Sequence, residues 1–582
     1  MMDPLKRGLT GARQQMRIRP WAILAATAAT LTAAAPALAV TPGAAVTGDT
    51  YPFAARLTVG DQRGCSGALV APQWVITSSA CFDGVPAGLT TRVELGGGVT
   101  STVVSTVAGP DSGVTLAKLA LRQTEVAPVA VATAAPAAGD TLTAAGFGRT
   151  ATEWVPADLH AGEATVQAVG PATLGLTGAT TCKGDAGGPV LRLTGGAPVL
   201  AGVSVASSQR GCLAETASGE GSTAARLDTL TSWISTTTAP LRGTFGATFA
   251  SAGGLGGFDL GDSRDQTLAY DYDHSGKQDH VLMYRPGTGL VVIARHNPDN
   301  TYTTVFRGTD GIGGYDLRVA ADRLVPFDYD GTGKLDHLLA YRPGQRIAYV
   351  LKHTADGFET VYASRTGLGG YDLALAQDQV VAFDYDHSGK QDHLLAYRPG
   401  NRIAFVLKRS GDDFATVTAS AGGIGGFDLA VSADRIVPFD YDGTGKLDHL
   451  LAYRPGQKIA FVLRHPSGTS FTTVWSSFAG LPGFDLGNAR DQVSSYDYDY
   501  TGKRDHLVLY RPGNRLVGIY RKGSAGAPVA VYNGTNGIGG YDLAVDTDRI
   551  VAFDADHSGG ANSLLLTRPG WKVAWVVARQ QP

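Results

Sequence analysis

Cys182-Lys183-Gly184-Asp185-Ala186-Gly187-Gly188-Pro189 is a glycine-rich turn with a cysteine at its start, a proline at its end and alanine near its centre. The side chain presented at that centre is the methyl of Ala186. Four cysteines occur in the chain, Cys65, Cys81, Cys182 and Cys212, and none is left over. No C-x-x-C spacing points to a metal, and an even set confined to one part of the chain suits structural bridges in an oxidising compartment.

Working outward from the turn, residues 45–236 resemble the trypsin family. Tyr51-Pro52-Phe53 with Ala54-Ala55-Arg56-Leu57 resembles its first barrel strand. Cys65-Ser66-Gly67-Ala68-Leu69-Val70-Ala71-Pro72-Gln73-Trp74-Val75-Ile76-Thr77-Ser78-Ser79-Ala80-Cys81 resembles the stretch that ends in the catalytic histidine, and Ala80 stands at that position. Val114-Thr115-Leu116-Ala117-Lys118-Leu119 resembles the strand that follows the catalytic aspartate, and Gly113 stands there, with Asp111 two residues upstream. The resemblance therefore implies a trypsin-like double β-barrel whose base, orienter and nucleophile are replaced by Ala80, Gly113 and Ala186. Serine chemistry needs all three roles, because the imidazole takes the proton and the carboxylate holds the imidazole's tautomer. It also implies a relic oxyanion hole at the N–H groups of Gly184 and Ala186, and a drifted pocket at Thr180, Ser207 and Gln209. Disulfides Cys65–Cys81 and Cys182–Cys212 follow from the same resemblance. Asp185 is the family's partner for a freed N-terminus. Leu227, Leu230 and Ile234, with Trp233 beside them, suit its closing helix. His160, alone among twelve histidines in lying before residue 274, is the candidate for a relocated base.

Residues 1–39 read as a secretory leader: Lys6, Arg7, Arg13, Arg17 and Arg19, an alanine-rich apolar run from Trp21, then Ala37-Leu38-Ala39 before Val40. The expected divisions are a leader (1–39), a trypsin-like unit (40–236), a linker (237–243) and a repeat unit (244–582). The mature chain is expected to be a secreted monomer outside the membrane. A net charge of −3 over 582 residues gives no electrostatic hold on nucleic acid.

After residue 244 the chain repeats. The first aspartate of a D-x-D-x-[ST]-G element falls at Asp271, Asp328, Asp384, Asp440, Asp497 and Asp554, at intervals of 57, 56, 56, 57 and 57. Each unit runs Gly-Gly-(Phe/Tyr)-Asp-Leu, a strand, the Asp loop, a strand ending Tyr-Arg-Pro-Gly, and further apolar strands. Short strands at this period predict a β-propeller, making the whole chain all-β. The sixth unit lacks its last strand, and Thr244-Phe245-Gly246-Ala247-Thr248-Phe249 supplies a matching one ahead of the first. Six four-stranded blades, closed by that N-terminal strand, leave no free sheet edge.

The repeats resemble the FG-GAP/VCBS group, whose Asp loops bind calcium. The resemblance implies Ca2+ ligands at Asp271, Asp273, Ser275 and Asp279; Asp328, Asp330, Thr332 and Asp336; Asp384, Asp386, Ser388 and Asp392; Asp440, Asp442, Thr444 and Asp448; and Asp497, Asp499, Thr501 and Asp505. Oxygen ligands at alternate positions suit a hard cation, although three carboxylates per loop hold it weakly. A turn held by Asp hydrogen bonds is the alternative. The repeated Arg of Tyr-Arg-Pro-Gly is expected to pair with a nearby Asp rather than form a ligand site, and the repeated Phe/Tyr to pack between blades rather than offer a sugar-stacking platform.

Three functions follow. The first is a secreted non-catalytic trypsin-fold protein whose propeller binds a protein or surface-glycan partner. The second is an active secreted trypsin-like endopeptidase with relocated catalytic residues. The third is a lectin-like adhesin.

Overall fold

The computed structural model describes residues 43–580 except 48, 87, 111–112 and 467–469. The expected leader and Asp111 lie outside the described residues. Alternation of side chains builds the first barrel: in Thr91-Arg92-Val93-Glu94 the first and third residues are buried and the other two exposed. After β1 (Ala44–Val46) come β2 (Ala54–Val59), β3 (Arg63–Ala71), β4 (Trp74–Ser78), β5 (Thr91–Glu94), β6 (Thr100–Ala108) and β7 (Val114–Leu119). They close in the order β2-β3-β4-β7-β6-β5, with β5 returning to β2.

A second ring follows β8 (Ala130–Val131). Its strands are β9 (Thr141–Gly146), β10 (Leu159–Val169), β11 (Thr173–Gly178), β12 (Pro189–Thr194), β13 (Ala197–Ser207) and β14 (Ser222–Arg226). The order β9-β10-β11-β14-β13-β12 closes on β9, while β1 and β8 pair at its margins. One core joins the two barrels, with Leu57, Ile76 and Leu116 of the first packed in the same cluster as Leu191, Leu200 and Leu227 of the second. The helix α1 (Thr231–Thr237) turns Ile234 into that core.

Six four-stranded sheets make the propeller. The first blade is β16 (Gln266–Tyr270), β17 (His280–Arg285), β18 (Leu290–His296) and β19 (Tyr302–Gly308). Second strands lie between neighbouring blades, and His337–Arg342 is accordingly buried along its whole length. The strand β15 (Phe245–Ser251) pairs antiparallel with Val573–Arg579, from Phe245 opposite Arg579 to Ser251 opposite Ala574, and completes the last blade.

The glycine of each Arg-Pro-Gly turn donates its N–H to the leucine carbonyl of the next blade's Gly-Gly-(Phe/Tyr)-Asp-Leu, from Gly287 to Leu317 (2.9 Å) round to Gly570 and Leu260 (2.9 Å). Those leucines are fully buried and held at φ of +48° to +51°, a conformation that a β-carbon disfavours. The repeated Arg pairs as expected: Arg285 reaches Asp265 (2.7 Å) and Asp259 (2.6 Å). The repeated aromatics Phe258, Tyr315, Tyr371, Phe427, Phe484 and Tyr541 are buried in the clusters between blades.

Candidate functional site

The turn Cys182–Pro189 lies at the mouth of a cleft of about 510 Å³ between the barrels. Both expected bridges form, Cys65–Cys81 and Cys182–Cys212. The first ties β3 to the short turn carrying Ala80, and the second ties the Ala186 turn to the loop after β13. Gly187 makes the close approach possible: at φ +88° a β-carbon there would stand 2.0 Å from Thr77 Oγ1 and 2.1 Å from the Ser66 carbonyl. The Ser66 N–H donates to the Ala186 carbonyl (2.9 Å), and its hydroxyl donates to the Gly184 carbonyl (2.9 Å).

Ala80 and Ala186 both line the cleft. Gly113 stands behind them, its carbonyl accepting the Ser79 N–H at 2.8 Å. The tertiary fold thus brings two methyl-bearing positions to one wall with a glycine close by. His160 is buried on β10 opposite Gly146, its Nδ1 3.0 Å from the Asp158 carbonyl, and is not part of the cleft lining. Of the expected pocket residues, Ser207 and Gln209 face the cleft; Thr180 is buried, and Thr181 takes its place in the lining. Gln209 adopts φ +64°.

Asp185 is fully buried. Its carboxylate accepts the N–H groups of Gly148 (2.7 Å) and Cys182 (2.7 Å). Burial pushes its pKa up to about 6 against the pull of those two donors.

Sequence reading missed the outer wall. Arg149, only 5% exposed, pairs with Glu215, and Lys183 Nζ reaches the same carboxylate at 3.1 Å. The hydrogen bonds from Arg149 and Lys183 hold Glu215 below its usual carboxylate range. Trp154 is 63% exposed beside the guanidinium, 5.7 Å from ring centre to carbon, and Val155 is 79% exposed. Trp154 and Val155 are thus a pair of exposed apolar side chains in the cleft lining. The isolated Trp154-Val155 in a polar stretch was the available signal.

In the propeller loops the first aspartate faces the backbone. Asp271 accepts the N–H groups of Ser275 (2.9 Å) and Gly276 (2.8 Å), and Asp328, Asp384, Asp440, Asp497 and Asp554 repeat the arrangement. The hydroxyls of Thr332 and Thr444 donate to Asp330 and Asp442, each at 2.9 Å. What converges instead is Asp273 with Asp279 and His280, and likewise Asp330-Asp336-His337, Asp386-Asp392-His393 and Asp442-Asp448-His449. Each grouping keeps its donor atoms within 4.8 Å and could hold a metal ion.

As a calcium set they fit poorly. An imidazole suits softer metals, and in the third blade Lys408 Nζ already bridges Asp386 (3.0 Å) and Asp392 (3.1 Å). The ninth-position carboxylates are also engaged by histidine: Asp279 meets His280 Nδ1 (2.6 Å) and His557 Nδ1 (2.7 Å). The repeated Asp-His pair, legible in five units, was the missed signal.

A trypsin-fold barrel pair joined to a six-bladed propeller is the class that this geometry defines. Comparison agrees for the first part: the trypsin family model matches residues 40–234. Among solved structures, neuropsin, a serine protease expressed in the limbic system of mouse brain, aligns with 34% of this chain and 98% of its own at 21% identity and a TM-score of 0.28. No curated protein matches the chain.

Proposed function

We propose that this is a secreted, non-catalytic binding protein in which the trypsin-type cleft and the propeller present surfaces to a protein or surface-glycan partner. One observation carries the reading: the cleft wall where Ala80 and Ala186 meet offers methyl groups, with Gly113 behind, and His160 is held elsewhere. Acyl transfer needs a nucleophile within hydrogen-bond reach of a base, and Ala80 and Ala186 supply neither. Two disulfides are consistent with export. The exposed rings of Trp154 at the cleft, and of Phe478 (72%) and Trp571 (63%) on the propeller, are the contact points that the reading assigns. The Asp loops are read as hydrogen-bonded turns and not as calcium sites.

The test is fluorophosphonate labelling and casein hydrolysis by the purified protein beside an Ala80→His/Gly113→Asp/Ala186→Ser variant. The natural chain is expected to stay silent in both. Labelling of the natural chain would overturn the reading and place a nucleophile elsewhere. Activity in the variant would show that the scaffold is otherwise intact.

A further inference from the structure

Five of the six inter-blade seams are closed by the same clip. The lysine two residues after the loop's Ser or Thr reaches back to the carbonyl at the fourth position of the preceding blade's loop. Lys277 Nζ donates to His557 O (2.5 Å), Lys334 to His274 (2.6 Å), Lys390 to Gly331 (2.6 Å), Lys446 to His387 (2.6 Å) and Lys503 to Gly443 (2.8 Å). In the sixth blade that lysine is replaced by Gly560, which would have clipped Tyr500. The Tyr500 carbonyl is nevertheless satisfied: the backbone N–H of Arg122, from the first barrel, donates to it at 2.6 Å.

We propose that the seam between the fifth and sixth blades is a docking socket for the barrel pair, opened by the replacement of a clip lysine with Gly560, so that barrels and propeller form one body in solution. Leu121 fills the volume that the lysine leaves. A β-carbon on Gly502 would stand 2.9 Å from its Cδ1, and one on Gly560 would stand 3.4 Å from its Cδ2. Lys118 faces the same seam: burial lowers its ammonium's pKa, and Asp556 of the sixth blade opposes that fall.

A second strap lies beside the first. Arg579 donates to the carbonyls of Leu241 (2.9 Å) and Arg242 (3.1 Å) and to that of Tyr498 (3.0 Å), while the Arg242 N–H donates to Gln580 O (2.8 Å). Leu241 and Arg242, within the expected linker 237–243, are thereby held against the propeller. A buried backbone acceptor costs free energy when left without a donor, so the lost clip and the gained contact are coupled.

The experiment uses the full chain. Leu121→Glu puts a charge into the socket from the barrel side, Gly560→Lys returns the clip lysine from the propeller side, where Asp497 Oδ2 stands 2.4 Å from the new β-carbon and must give way, and Leu193→Glu, at a residue 56% exposed on the second barrel, is the control. Cleavage after Arg242 by added trypsin is timed by mass spectrometry, and maximum dimension is measured by X-ray scattering. With near-UV circular dichroism preserved, Leu121→Glu and Gly560→Lys are expected to speed cleavage about tenfold or more, as for loss of a local protecting contact, and to lengthen the particle. The control should do neither. The proposal is overturned if the natural chain already cleaves at the variants' rate, or if both socket variants match the natural chain in rate and dimension. Should one variant fail to fold, the other decides by the same readings.

Discussion

The guanidinium of Arg342 lies side-on to the buried carboxylate of Asp322, with Nε 2.6 Å from Oδ1 and Nη2 2.9 Å from Oδ2. The Tyr315 hydroxyl donates to the same Oδ1 at 2.7 Å, and the ring packs against the guanidinium, 5.3 Å from centre to carbon. Because Asp322 is wholly buried, removing the cation strands a charge. Arg342→Met is expected to cost about 3–5 kcal/mol in urea unfolding. Arg342→Lys should recover little of it, since an ammonium cannot form the two-pronged contact.

Gly187→Ala is expected to be among the most damaging single substitutions in the barrels. The added carbon would meet Thr77 Oγ1 and the Ser66 carbonyl at contact distances no structure tolerates, at a φ of +88° that already disfavours it. A loss of about 3 kcal/mol or more is expected, read as a fall in melting temperature of the barrel transition.

Asp185 makes the stability of the barrels depend on pH. Its folded pKa, about 6, lies above the ordinary 3.8, so the native state binds the extra proton between those values. The stabilisation is complete below about pH 4 and is lost as pH rises through 6, a change of about 3 kcal/mol. Asp185→Asn should flatten the profile in that window. An unchanged slope in calorimetry from pH 4 to pH 7 would exclude Asp185 as its source.

Calcium should not matter to the propeller. A cation bound only by the folded state raises melting temperature by mass action. Scans with millimolar calcium and with chelator are expected to coincide, and a shift of several degrees would instead make the Asp loops calcium sites.

Residues 244–582 expressed alone should give a soluble propeller, whereas a version starting after Ser251 should aggregate. Without β15 the strand Val573–Arg579 exposes its unpaired edge. Size-exclusion chromatography of the two fragments distinguishes them.

Much of this was legible in the chain. The 56–57 residue period, the strand missing from the sixth unit and its counterpart at Thr244–Phe249 led directly to six blades closed by β15. The cysteine pairs followed from the trypsin-like resemblance. The Asp loops were legible as spacing, while the backbone hydrogen bonds that hold them, such as those of Ser275 and Gly276 to Asp271, came only with the fold. The cleft lining takes in Thr181, while Thr180 beside it lies buried, a placement that spacing does not reveal.

The amino-acid order by itself determined the propeller, because repeat period, strand alternation and glycine turns are local properties written along the chain; the barrel pair was legible only through its resemblance to the trypsin family. Only the tertiary structure decided what meets what across long separations: Ala80 with Ala186 on one wall, Arg149 with Glu215 beside it, and Arg122 with Tyr500 at the unclipped seam. Those meetings depend on packing and on satisfying buried polar groups, and neither is visible until the chain has closed on itself.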